Sequence, residues 1–139
     1  MDLLILGAGG HGVNCLEVAR STEKFEYIAF LDDGHEGEKI CDCPVVGKIK
    51  DIKRFKEYYD VAFVAIGDNK RRIELVQGLI ESSYSIPTLI SPLANVSKYS
   101  KIGFGTIVFP FVSIEAYSSI EEGCVIATGA VVGHNATMH

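Results

Sequence analysis

Hydrophobic and polar positions follow two rhythms along this chain. Up to about residue 90, short unbroken apolar runs alternate with stretches of helical spacing. LLIL (3 to 6) reads as a strand, VNCLEVAR (13 to 20) as a helix and YIAFLD (27 to 32) as a second strand. IKDIKRFKEYY (49 to 59) carries Ile49, Ile52, Phe55 and Tyr59 at helical intervals. VAFVAIG (61 to 67) is apolar throughout, as a strand buried on both faces should be. NKRRIELVQGLIESS (69 to 83) predicts a helix with Ile73, Val76 and Ile80 on its buried side, and IPTLI (86 to 90) reads as a fourth short strand. The order βαβαβαβ predicts a small parallel sheet covered by helices.

After Ser91-Pro92 the period changes. Val96, Ile102, Val108, Ile114, Ile120, Ile126, Val132 and Met138 recur every sixth position. Four residues after each of the first seven stands a small or β-branched residue: Ser100, Thr106, Val112, Ser118, Cys124, Ala130 or Ala136. This is the hexapeptide repeat of a parallel β-helix, in which each unit makes one short flat side and sends its aliphatic residue to the axis. Two domains are therefore expected, at 1–90 and 91–139. The repeats make a little over two coils at ~18 residues each. Met138 is an inward position with no polar cap after it, so the terminus reads as a cut, with C-terminal coils missing.

Composition narrows the function. A formal charge of -5 and a pI near 5.3 argue against nucleic-acid binding, which needs clustered Lys and Arg. Lys70, Arg71 and Arg72 are one small basic cluster, sufficient for a single anionic ligand. The opening MDLLILG has no basic n-region and reads as a strand, not a signal peptide. No apolar run approaches the ~20 residues of a membrane span. Cys15, Cys41, Cys43 and Cys124 show no paired framework spacing, which points to a reducing cytoplasm. His35, Cys41 and Cys43 match no zinc pattern, so no metal is expected.

GAGGHG (7 to 12) follows the first strand and satisfies G-x-G-x-x-G at Gly7, Gly9 and Gly12, with Asp32 twenty residues further on. Alone, this is a dinucleotide fingerprint, and an NAD-binding enzyme is one reading. The β-helix begins too early to leave room for a second mononucleotide half, and His11 occupies an interior loop position. A nucleoside diphosphate fits better, with Gly9, Gly10 and His11 near the phosphates and Asp32 or Asp33 on the nucleoside. The glycines would also suit a tight turn with no ligand.

In combination, GAGGHG, FLDD (30 to 33), PVVG (44 to 47), AIGDNKRR (65 to 72), SP and hexapeptides ending in GAVVGHN closely resemble the bacterial nucleotide-sugar acetyltransferase family. That family includes sialic acid O-acetyltransferases and UDP-4-amino-sugar N-acetyltransferases of surface glycan synthesis. The resemblance spans the whole chain. It implies an α/β fold class: a small Rossmann-like domain holding the sugar nucleotide, followed by a truncated left-handed parallel β-helix. It also implies a homotrimer with acetyl-CoA, the acetyl donor, bound between neighbouring prisms. Substrate-binding positions are then Gly9, Gly10, His11, Asp32, Asp33, Asn69, Lys70 and Arg71. His134 matches the family's general base, and neutral imidazole suits that role. Many relatives carry an acid directly after it, whereas here Asn135 can accept a hydrogen bond but brings no charge. Relatives also continue through further coils that carry most acetyl-CoA contacts. A nucleotide-sugar-binding module with a vestigial β-helix is the alternative to an acetyltransferase. Exposed coil surface is expected to drive self-association.

Overall fold

Leu3, Leu4, Ile5 and Leu6 are wholly buried because the strand they form, β1 (Asp2–Leu6), has neighbours on both edges and is covered on both faces. The computed structural model describes all 139 residues, as two compact units, Met1–Pro87 and Thr88–His139. In the first unit, β1 leads through α1 (Gly10–Ser21) to β2 (Tyr27–Leu31), then to β3 (Lys39–Ile40) and β4 (Cys43–Gly47). A 3-10 turn (Ile49–Asp51) and a short α2 (Ile52–Phe55) precede β5 (Val61–Val64) and α3 (Asn69–Glu81). The sheet order is β3-β4-β2-β1-β5, parallel except for the β3–β4 hairpin.

Alternate strand residues face opposite sides. Leu4, Leu6, Ala29, Leu31, Ala62 and Val64 form one core with Ile49, Tyr59, Leu75 and Leu79, and Ile52 and Phe55 pack against it. The apolar spacing read over 49 to 59 is thus all used, although regular helix covers only Ile52–Phe55. Tyr84 anchors that segment by donating its hydroxyl to the Ile52 carbonyl at 2.6 Å.

The face expected for the last helix is displaced by one position. Leu75, Leu79 and Arg72 are buried on α3, Val76 is partly buried, and Ile73 and Ile80 are 68% and 45% exposed. One residue is about 100° of helical rotation, and the set 72, 75, 79 satisfies the same periodicity as 73, 76, 80. Leu79→Ala should therefore cost about 2–5 kcal/mol in urea unfolding, whereas Ile73→Glu should stay within about 0.5 kcal/mol of the parent.

IPTLI does not complete the sheet. The preceding Ser85 makes a single bridge to Val61, and the fourth position belongs to β4, the PVVG segment. Pro87 lacks the N–H a ladder needs, and Ile90 lies one six-residue step before Val96. Leu89–Ile90 accordingly forms β6 and pairs with β9 (Ile107–Val108), opening the β-helix.

The second unit stacks nine two-residue strands on three flat faces. These are β6, β9 and β12 (Val125–Ile126); β7 (Asn95–Val96), β10 (Ser113–Ile114) and β13 (Val131–Val132); and β8 (Lys101–Ile102), β11 (Ser119–Ile120) and β14 (Thr137–Met138). All pairings are parallel and eighteen residues apart, as in Ser113↔Val131. Each face has three rungs, so the coil is longer than the two and a little expected, by the rung that Leu89–Ile90 supplies. The inward ladder lines the core: Val108, Ile114, Ile120, Ile126 and Val132 are buried there, with Ile90, Val96, Ile102 and Met138 packed against them. Val112 and Cys124, from the small positions, are buried in the same cluster.

From Gly105 onward the corners repeat at the same six-residue step. Gly105, Phe111, Tyr117, Gly123, Gly129 and Asn135 stand six apart, and all have positive φ. Glycine or asparagine takes the left-handed conformation readily, whereas an ordinary residue there costs about 1–2 kcal/mol. Phe111 and Tyr117 accept that cost at φ of 64° and 62°.

Candidate functional site

The chain reverses direction across the first sheet at β1. It runs outward from β1 through β2 to β4, then returns to β5 on the other side. The loops leaving the carboxyl ends of β1 and β5 diverge there, forming the crevice where open parallel sheets bind ligands. The two loops are tied at their base, where the Ala65 N–H donates to the Leu6 carbonyl at 2.8 Å. Both lead into helix N-termini, whose first N–H groups lack intrahelical partners and attract anions.

The four glycines of GAGGHG have two jobs. A Cβ on Gly12 would lie 2.0 Å from the Gly7 carbonyl oxygen, and one on Gly7 would lie 2.7 Å from the Ala65 carbonyl oxygen. These two are required by the turn itself. Gly9 and Gly10 have nothing within 4 Å of an added Cβ and are exposed. Their bareness serves no packing need within the chain, and it leaves the backbone open to close approach.

Asp32 and Asp33 already have structural partners. Asp32 accepts from the Ala8 N–H at 2.9 Å and from the Gly34 N–H at 3.0 Å, and so braces the glycine loop from the end of β2. Each of its oxygens keeps a lone pair, so a ribose hydroxyl remains a possible donor. Asp33 accepts from the Ile49 N–H at 3.0 Å, tying the end of β2 to the turn before α2. At the second helix, Asp68 caps α3 by accepting from the Arg71 N–H. Lys70 and Arg71 are exposed. Arg72 differs from them: its buried guanidinium donates to the carbonyls of Ile66 and Gly67 and to Asn69 Oδ1. It therefore fixes the β5 loop and orients Asn69 instead of presenting a third surface charge.

His11 sits in the first turn of α1, beside the buried Cys15 thiol. Burial pushes Cys15 up to about 12, so the thiol keeps its proton. With Cys15 Sγ 3.7 Å from His11 Nε2, the S–H can donate to that nitrogen, leaving the ring proton on Nδ1. Burial, and then the Arg72 charge, lower the His11 pKa below its ordinary 6.5, so the ring is neutral at pH 7. Below 6.5 the unfolded chain takes up a proton before the folded one does. The His11 contribution is therefore complete above that value and is lost as pH falls through the lower folded value. His11→Asn should flatten the fall in Tm between about pH 7 and pH 5. An unchanged slope would mean that acid sensitivity arises elsewhere.

His134 belongs to the second unit, at the corner between β13 and β14, and is exposed. Its Nδ1 lies 3.1 Å from Asn135 Oδ1. An amide oxygen only accepts, so this contact is a hydrogen bond in the Nδ1–H tautomer, which leaves the Nε2 lone pair as an acceptor. The amide oxygen thus orients the ring without bringing a charge to it. Sequence reasoning missed Glu115, whose Oε1 accepts from the His134 backbone N–H at 3.1 Å. The eighteen-residue coil spacing could have found it, since residue 115 lies one rung below residue 133.

His35, Cys41 and Cys43 do not converge on a common point. His35 Nδ1 is 3.0 Å from Glu38 Oε2, and the Cys43 thiol donates to the Ile28 carbonyl. No helix is long and apolar enough to cross a membrane.

Residues 2–79 match the PglD N-terminal domain family. Over 111 residues, 77% of this chain, the sequence is 33% identical to UDP-N-acetylbacillosamine N-acetyltransferase of Bacillus subtilis (strain 168). The acetyltransferase domain of PglB from Neisseria gonorrhoeae FA1090 superposes with a TM-score of 0.92 at 31% identity, over 98% of this chain and 66% of that one. The same domain in complex with acetyl coenzyme A gives 0.91 at the same identity and coverage. A variant of perosamine N-acetyltransferase from Caulobacter crescentus, solved with CoA and GDP-perosamine, gives 0.89 at 32% identity, over 95% of this chain and 62% of that one. The chain spans 50% of the curated Bacillus relative's length. With the family match over 2–79 and the fold shared with these solved structures, the chain belongs to the PglD N-terminal domain family.

Proposed function

We propose that the protein transfers acetyl from acetyl-CoA to the free amine of a nucleotide-linked amino sugar in surface glycan synthesis. The observation that carries this reading is the His134–Asn135 pair, which leaves Nε2 of an exposed imidazole as a free acceptor on a β-helix. The names of its relatives support an amino sugar over sialic acid, and therefore N- over O-acetylation. The sugar nucleotide is assigned to the β1/β5 crevice, its diphosphate on the Gly9–His11 amides with Lys70 and Arg71 nearby and its ribose toward Asp32. Asp33 and Asn69 are assigned to shaping that crevice. As the amine nitrogen attacks the thioester carbonyl, a C–N bond forms, the C–S bond breaks and Nε2 of His134 takes the amine proton. The CoA thiolate leaves. A homotrimer is part of the proposal, and the exposed Leu93, Tyr99, Phe111 and Tyr117 of the coil support it.

The test is calorimetric and chemical. UDP- and GDP-linked 4-amino sugars, CMP-sialic acid and NAD are titrated into the protein, and release of CoA thiol from acetyl-CoA is followed with each. Amino-sugar nucleotides should bind most tightly and alone release thiol. Tighter binding of NAD would overturn the assignment of the crevice. Sugar-nucleotide binding without thiol release would favour the binding-module alternative.

A further inference from the structure

We propose that Glu115 is a positioning residue for His134, supplying from the preceding coil the negative charge that residue 135 lacks. The inference rests on the reading of His134 as the base. The observation beneath it is independent: the carboxylate of an exposed side chain is fixed on the backbone of the very residue whose ring is exposed for chemistry.

Parallel stacking makes the geometry possible. Glu115 follows β10 and Gly133 follows β13, and Ile114↔Val132 are paired, so residue 115 lies one rung beneath residue 133. Glu115 Oε1 lies 3.7 Å from where a Cβ on Gly133 would stand, so the carboxylate lies against the 133–134 peptide. There it accepts from the His134 N–H, a charge-assisted bond stronger than a neutral one. The bond holds a corner that includes the left-handed Asn135, whose own N–H reaches the Ala116 carbonyl at 3.2 Å. Two contacts from one lower turn therefore fix the peptide carrying the ring, and Asn135 Oδ1 fixes the ring's tautomer.

The charge matters as much as the bond. When Nε2 takes a proton the ring becomes cationic, and Asn135 offers it a dipole but no charge. Covalent geometry keeps the ring within about one Debye length, ~8 Å at physiological salt, of the Glu115 oxygen. The other groups in this stack of corners do not substitute. Lys98, two rungs down, has its ammonium over the Tyr99 ring, 5.1 Å from the centroid. Tyr117 stacks on Tyr99 at 5.8 Å between centroids.

The hold of Glu115 on His134 is tested by NMR on the 15N-labelled protein, and its catalytic consequence by kinetics. In the wild type, the His134 amide proton should lie downfield and move upfield when added acid protonates the carboxylate. That movement should vanish in Glu115→Gln, which keeps a side-chain oxygen but loses the charge. Glu115→Gln should lower kcat about tenfold with KM for the sugar nucleotide unchanged, the size of one charge-assisted hydrogen bond. Glu115→Asp should recover part of the loss. An amide proton that ignores carboxylate protonation, or a Glu115→Gln enzyme as fast as the wild type, would overturn the proposal. A wild type that shows the amide shift but transfers no acetyl would instead overturn the acetyl-transfer reading and leave the hold of Glu115 on His134 established.

Discussion

His134→Ala should reduce acetyl transfer by about two to four orders of magnitude, the usual contribution of a positioned general base. Sugar-nucleotide affinity should barely change, because the β1/β5 crevice belongs to the other unit. Stability should barely change either, since the imidazole is exposed and its side chain meets the adjacent Asn135. The loss should therefore appear in kcat, and steady-state kinetics beside calorimetry on the same preparation checks this division. Asn135→Asp should hold or raise the rate by placing a negative charge beside Nδ1. A His134→Ala protein with full turnover would remove the base from the mechanism.

Gly12→Ala should abolish cooperative folding of the first unit. The added Cβ would stand 2.0 Å from the Gly7 carbonyl oxygen and 2.7 Å from its carbonyl carbon, and both are backbone atoms that no rotamer change can move. Separating them means opening the loop that Asp32 braces and parting α1 from β1. A cost above about 4 kcal/mol is a large share of a small domain's ordinary 5–15 kcal/mol. Gly9→Ala is the control, since nothing lies within 4 Å of its Cβ and its φ of -77° suits any residue. It should keep the parental Tm and lose nucleotide-sugar affinity by at least about tenfold, if backbone and phosphate approach closely there. Thermal melts by circular dichroism separate the two variants. A Gly12→Ala melt equal to the parent's would mean that the loop has slack.

Much of this was legible in the sequence because two periods were clean. The six-residue ladder from Val96 to Met138 placed each of its eight residues correctly against the coil core, and the unbroken runs at 3–6 and 61–64 marked the buried strands. The failures came where one pattern admits two phases or where two patterns overlap. On α3, positions 72, 75 and 79 and positions 73, 76 and 80 are equally periodic, and only the sheet beneath decides between them. Around 86–90, Ile90 fits a strand and also the ladder, and the missing N–H of Pro87 favours the coil. The candidate site stood out where residue type alone suggests chemistry, as at GAGGHG and His134. It was not legible where it depends on partners distant in sequence. Arg72 reads as one of three surface cations until its guanidinium is seen buried on the β5 loop. Glu115 reads as a solvated acid until the coil brings it beneath the 133–134 peptide.

The left-handed corners carry a consequence for how such a chain can change length. Because every sixth residue from Gly105 to Asn135 takes positive φ, one residue inserted within a rung would advance every later side chain by one place. Valines and isoleucines meant for the axis would turn to water, and residues such as Glu122 and Thr128 would be asked to adopt the corner conformation now taken by glycines. The error would not heal at the next turn, since every rung copies the register of the one below. Change by whole eighteen-residue coils leaves each ladder intact, and loops extruded at a corner leave the rungs untouched. The unit is in this sense ratcheted: its length can vary in full turns or in decorations, and the face carrying His134 keeps its bearing through either.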